Sequence, residues 1–108
     1  MKRSFYIAGV QFRPRGEIMV AAKELNEGDL LTLEPEPTNK YDPNAVKIIT
    51  KDGTFLGYVP KRFSAEISAM IDIEAPIECI IEAVDPTAKL WEMFKVTIQD
   101  IPSEEGDI

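Results

Sequence analysis

Along the chain, apolar and polar positions sort into eight short segments punctuated by glycine, proline and acidic residues. Ser4–Gln11, SFYIAGVQ, is rich in aromatic and branched side chains and predicts a strand, with Gly9 marking a bulge or a close backbone approach. The following FRPRG breaks it. Glu17–Leu25, EIMVAAKEL, sets Ile18, Ala21, Ala22 and Leu25 at helical spacing before the stop signal NEG. Leu30–Glu34, LLTLE, predicts a strand that PEP ends, because two prolines cannot donate to a central ladder.

Two strands, Ala45–Thr50 and Thr54–Val59, flank KDG, and the tight turn at Asp52-Gly53 makes them a hairpin. Pro60 suits a helix start, and Phe63, Ile67, Met70 and Ile71 recur on one face, so Lys61–Ile71 predicts an amphipathic helix over the sheet. Pro76–Val84 and Met93–Asp100 alternate as two further strands joined by DPTAKLW, and Phe94 and Trp91 beside the last of them read as core. Six strands, two short helices and no internal repeat imply a mainly β fold, a small and strongly curved antiparallel sheet or barrel.

With 108 residues and 44% apolar content, the chain suits one domain, here residues 1–101. The acidic PSEEGDI at 102–108 reads as a disordered tail or linker. The first residues hold no apolar run long enough for a signal peptide or membrane span, which points to the cytoplasm and no membrane partner. The lone Cys79, inside PIECIIEAV, reads as a small buried hydrophobe.

The chain has no histidine and neither a GxxxxGK[ST] nor a GxGxxG pattern, which weakens hydrolase, zinc-site and nucleotide-cradle readings. No cofactor or metal is implied. Net charge is −7, against a broad nonspecific nucleic-acid surface, yet the imbalance is local. Residues 1–54 carry eight basic and eight acidic side chains, and residues 55–108 carry four and eleven. Arg13, Arg15, Lys40, Lys61 and Arg62 could form a small positive site, or be solvated surface charges.

The most loaded stretch is NKYDPNAV at residues 39–46. Asp42 followed by Pro43 favours a type I turn, with the Asp side chain capping backbone N–H groups and Asn44 supporting the same turn. Together with AGVQFR at 8–13 and GTFLGYVPKRFSAEIS at 53–68, this stretch resembles the HIRAN domain, found in fork-remodelling ATPases and as stand-alone bacterial and phage proteins. The resemblance covers the chain from about Phe5 to Asp100.

That resemblance implies an OB-like six-stranded antiparallel barrel with two helices. It also implies a module that binds single-stranded DNA at a free 3′ end, with aromatics clamping bases, an Asp meeting the terminal hydroxyl and basic groups holding phosphates. Position by position it assigns Phe12 and Tyr41 to the clamp, Asp42 to the hydroxyl and Lys61 to phosphate. The chain departs from the pattern at Gln11, where an arginine is usual, at Arg13, which replaces an aromatic and can restore the charge, and at Tyr58, which replaces a histidine. Taken alone, Phe12 reads as an ordinary core aromatic, Tyr41 equally as a loop aromatic lying on the barrel, Lys61 as a solvated charge and Gly57 as structural.

The chemistry is coherent, since stacking is indifferent to base identity. A carboxylate beside a terminal hydroxyl accepts a hydrogen bond, whereas beside an internal phosphate it repels. The expected function is therefore a non-enzymatic module for single-stranded DNA ends in replication or repair. The alternative is a protein-interaction domain on the same barrel, contacting a partner such as a helicase or nuclease through its acidic half.

Overall fold

The computed structural model describes residues 1–102, so the acidic tail expected over 102–108 lies, from residue 103 onward, outside the described residues. Strand β1 is Lys2–Tyr6, helix α1 Arg15–Glu24, strand β2 Leu30–Pro35, strands β3 and β4 Val46–Ile49 and Phe55–Tyr58, helix α2 Lys61–Asp72, and strands β5 and β6 Ile77–Val84 and Phe94–Asp100. All six strands join one antiparallel sheet in the order β1-β6-β5-β2-β3-β4, and the expected six strands and two helices are all present. The sheet curls until its two edges meet. Ala8, just beyond β1, exchanges both backbone hydrogen bonds with Tyr58 at the end of β4, at 2.9 and 2.8 Å.

The first strand ends earlier than its composition suggests. Gly9 adopts a left-handed conformation, φ 75°, and turns the chain out of the ladder. Val10–Phe12 then form a 3₁₀ turn in which the Phe12 and Arg13 N–H groups donate to the carbonyls of Gly9 and Val10. Helix α1 begins at Arg15, directly behind Pro14, whose fixed φ suits a helix entrance. The hairpin turn is as expected: Gly53 sits at φ 92° and its N–H donates to Thr50 O.

The core fills the inside of the curl. Ile7, Val10, Ile18, Ile48, Leu56, Ile67, Ile81, Val96 and Ile98 are almost wholly buried, with Phe94 among them. Helix α2 packs against β1: Phe63 lies 5.7 Å from Phe5 between centroids, and Arg3 grips both carboxylate oxygens of Glu66 at 2.8 Å. Cys79 is buried as expected, and loss of solvation pushes its thiol up to about 12. Trp91 departs from expectation. The 3₁₀ turn Leu90–Glu92 directs Leu90 to the core and leaves Trp91 half exposed, with the Lys89 ammonium 5.6 Å from its ring centre. Among the described residues no helix is long and apolar enough to cross a membrane.

Two features of β4 prepare the cleft described next. Its register slips against β3, so that Ile48 faces Gly57 and Ile49 faces Phe55, with Leu56 as the extra residue of a bulge. Residues three apart on a regular strand lie on opposite faces; the bulge instead brings Phe55 and Tyr58 together, edge to face at 5.2 Å. Gly57 is the point where the edges touch, since a Cβ there would lie 2.3 Å from the carbonyl oxygen of Ala8. Gly57→Ala should therefore lower stability by about 3 kcal/mol, at the upper end of ordinary overpacking because the obstacle is backbone. Urea unfolding checks this, and a variant as stable as wild type would show that the edges do not meet in solution.

Candidate nucleic-acid interface

The loop between β2 and β3 is built by two asparagine- and aspartate-centred turns in series. The Asn39 side-chain oxygen accepts the N–H groups of Tyr41 at 2.8 Å and Asp42 at 3.0 Å. Asp42 Oδ1 then accepts the Asn44 N–H at 2.8 Å, and the Asp42 carbonyl accepts the Ala45 N–H. With these backbone donors satisfied internally, the loop projects Tyr41, which is 88% exposed. The turn-capping role expected of Asp42 and Pro43 is present, and Asn39 shares it.

A polar network anchors this loop to the sheet. Asn39 Nδ2 donates to Glu36 Oε1 at 2.8 Å, the Tyr58 hydroxyl donates to the same oxygen at 2.7 Å, and Lys47 pairs with Glu36 Oε2 at 3.1 Å. The Asn39 and Tyr58 donors, with Lys47 adding less, hold the Glu36 carboxyl below its usual range against the opposing pull of desolvation. Burial first, then the hydrogen bond to Glu36 and the Glu36 charge, push the Tyr58 phenol up, so it stays protonated as the donor.

The opposite wall comes from the 3₁₀ turn after Gly9. Phe12 is 82% exposed, so it is no core residue: the left-handed glycine carries it out of the strand that would have buried it. Arg13 folds back with its guanidinium 4.1 Å from the Phe55 ring centre and its Nε donating to Phe55 O at 3.3 Å. Lys61 stands at the first position of α2, and its charge is one of the influences that lower the Asp42 carboxyl.

Between these walls lies an open cleft of about 470 Å³. Phe12, Arg13, Tyr41, Asp42 and Lys61 all line it, together with Asn39, Phe55 and Tyr58. Arg15, Lys40 and Arg62, the other members of the suggested positive site, are not among its lining residues, and Arg62 lies over Phe63 instead. Asp42 is half buried at the cleft's edge, and its second oxygen, Oδ2, accepts a 2.6 Å hydrogen bond from the Ser64 hydroxyl.

Sequence reasoning missed Ser64, Glu36, Asn39, Phe55 and Tyr58 as parts of the site. Tyr58 stands out only as a departure from the family pattern and Asn39 only as the start of NKYDPNAV, while Ser64 leaves a trace as a polar residue next to Phe63 and three before Ile67 on the inward face of α2, where a buried hydroxyl needs a partner.

A curled antiparallel barrel with exposed aromatics, two cations and an oriented carboxylate around one open cleft defines a binding module. The chain belongs to the HIRAN domain family, whose model matches residues 3–98. It is 33% identical over 58 residues to helicase-like transcription factor of Oryctolagus cuniculus, a match covering 53% of this chain but 6% of that protein's length. The crystal structure of the HIRAN domain of human HLTF superimposes with a TM-score of 0.70 at 17% identity, over 90% of this chain and 72% of the other. That of a protein from Lactobacillus plantarum gives 0.75 at 17% identity, over 91% and 95%. These likenesses show the fold, and HIRAN membership supports a nucleic-acid-binding module.

The Asp42 carboxyl is held below its usual range by the Ser64 hydroxyl first, then by the Asn44 N–H and Lys61. A carboxyl lowered in the folded state contributes stability that is present above its unfolded value, about 4, and is lost as pH falls through the folded one. Asp42→Asn should therefore be less stable than wild type near neutral pH, the gap narrowing on acidification below about pH 4. Urea unfolding across that range measures it; a gap that stays constant would mean that ionised Asp42 is not what the turn depends on.

Proposed function

We propose that this domain is a non-enzymatic module that holds the free 3′ end of single-stranded DNA, needs no cofactor, and serves replication or repair in the cytoplasm. The observation that carries the reading is that one loop presents the exposed Tyr41 ring and, directly beside it, the half-buried Asp42 carboxylate, in the same cleft as Phe12, Arg13 and Lys61. Tyr41 and Phe12 line the cleft with exposed rings, and stacking contributes about 1 to 3 kcal/mol per base whatever the base. Arg13 and Lys61 supply charge for the flanking phosphates.

Asp42 supplies the selection. A terminal hydroxyl donates to its carboxylate, whereas a continuing strand brings a phosphate, and two anions held together away from bulk water repel. The acidic remainder of the chain suits an end-binder, because it suppresses nonspecific attachment outside the cleft. The eleven acidic residues of the second half also favour a second reading, a barrel that contacts a protein partner such as a helicase or nuclease.

Fluorescence anisotropy with three short strands separates these readings: one with a free 3′ hydroxyl, one with a 3′ phosphate, and one whose 3′ end is closed in a hairpin. Micromolar or tighter binding to the first alone is expected. Tyr41→Ala should weaken it by about 1 to 3 kcal/mol, and Asp42→Ala should erase the preference. Two phosphate contacts give a slope of about −1.4 for log affinity against log salt on a single strand. Equal affinity for all three strands removes end selection, and binding to none favours the protein partner.

A further inference from the structure

We infer that Ser64 limits the affinity of the cleft for strand ends: in the free protein its hydroxyl donates to Asp42 Oδ2 and competes there with a strand's terminal hydroxyl. This rests on the single-stranded DNA reading above. Asp42 Oδ1 accepts the Asn44 N–H at 2.8 Å and Oδ2 the Ser64 hydroxyl at 2.6 Å, so each oxygen already carries one internal donor and an incoming terminal hydroxyl has to share the charge of one of them. Ser64 is buried, and its second acceptor is the Lys61 carbonyl at 3.1 Å.

A serine hydroxyl has one proton, so it serves one of these acceptors well at a time. A hydrogen bond to a carboxylate is roughly twice as strong as one to a neutral carbonyl, so in the free protein the proton points to Asp42. When a terminal hydroxyl donates to Oδ2, Ser64 can rotate its proton to the Lys61 carbonyl, and no buried donor is left unmade. The strand end thus exchanges places with an internal surrogate. An internal phosphodiester has no proton to offer, so it cannot make that exchange: Ser64 stays on Asp42 and the two anions repel. Ser64 therefore lowers the affinity for hydroxyl ends, and it does so without adding charge to the cleft.

Ser64→Ala removes the surrogate. Binding of the strand with a free 3′ hydroxyl should tighten roughly fivefold, the difference between a charge-assisted and a neutral hydrogen bond, with no tightening for the 3′-phosphate strand. Ser64→Cys, a weaker donor of similar size, should move affinity the same way by less. In the protein without DNA, carbon-13 NMR of the Asp42 carboxyl should show its titration midpoint move up in both variants, a readout of the internal bond that does not involve DNA. If wild type binds and the variants bind no tighter, the role of Ser64 is overturned and the DNA reading stands. If wild type binds no hydroxyl-ended strand, the DNA reading itself falls.

Discussion

Two backbone hydrogen bonds between Ala8 and Tyr58 turn a curled sheet into a barrel with a binding face. They join the first strand region to the fourth strand, and so set the turn carrying Phe12 and Arg13 opposite the loop carrying Tyr41 and Asp42. A side chain at Gly57 would hold the two edges apart, because the Ala8 carbonyl already occupies the space of its Cβ. The site thus depends on a backbone contact between segments fifty residues apart in sequence.

Around that contact, electrostatics resolves the conflict between an acidic protein and an anionic ligand. Of the two carboxylates near the cleft, Glu36 is paired with Lys47 and accepts from two neutral donors, which holds Asn39 and Tyr58 in place. Asp42 is the one left facing the opening, oriented by the turn on one oxygen and by Ser64 on the other. Both acids are held ionised by hydrogen bonds more than by full charges.

Much of this was legible in the residues. Periodicity located all eight elements, and the hairpin at Asp52-Gly53 and the inward faces of both helices follow from local rules. The five site residues came from the likeness of NKYDPNAV and its companions to a known family, and the fold brings them to one cleft. What stayed hidden was tertiary. SFYIAGVQ is a good strand in composition, but a left-handed Gly9 and pairing with β4 rather than β6 end it early. Tyr58, marked in the sequence only as a departure from the family pattern, gives no local sign of its role until the bulge at Leu56 turns it towards the loop, and neither does Glu36, just beyond β2.

That bulge also ties recognition to chain length. Alternation along β4 is broken by one residue, and the rings of Phe55 and Tyr58 face the cleft together only because of it. Losing a single position there would restore a regular ladder, keep the barrel's hydrogen bonding, and turn one ring of the pair towards the opposite side of the sheet. Relatives that differ by one residue between the hairpin turn and α2 would therefore share the architecture while presenting different surfaces, so ligand preference in such barrels can diverge by indel as readily as by substitution.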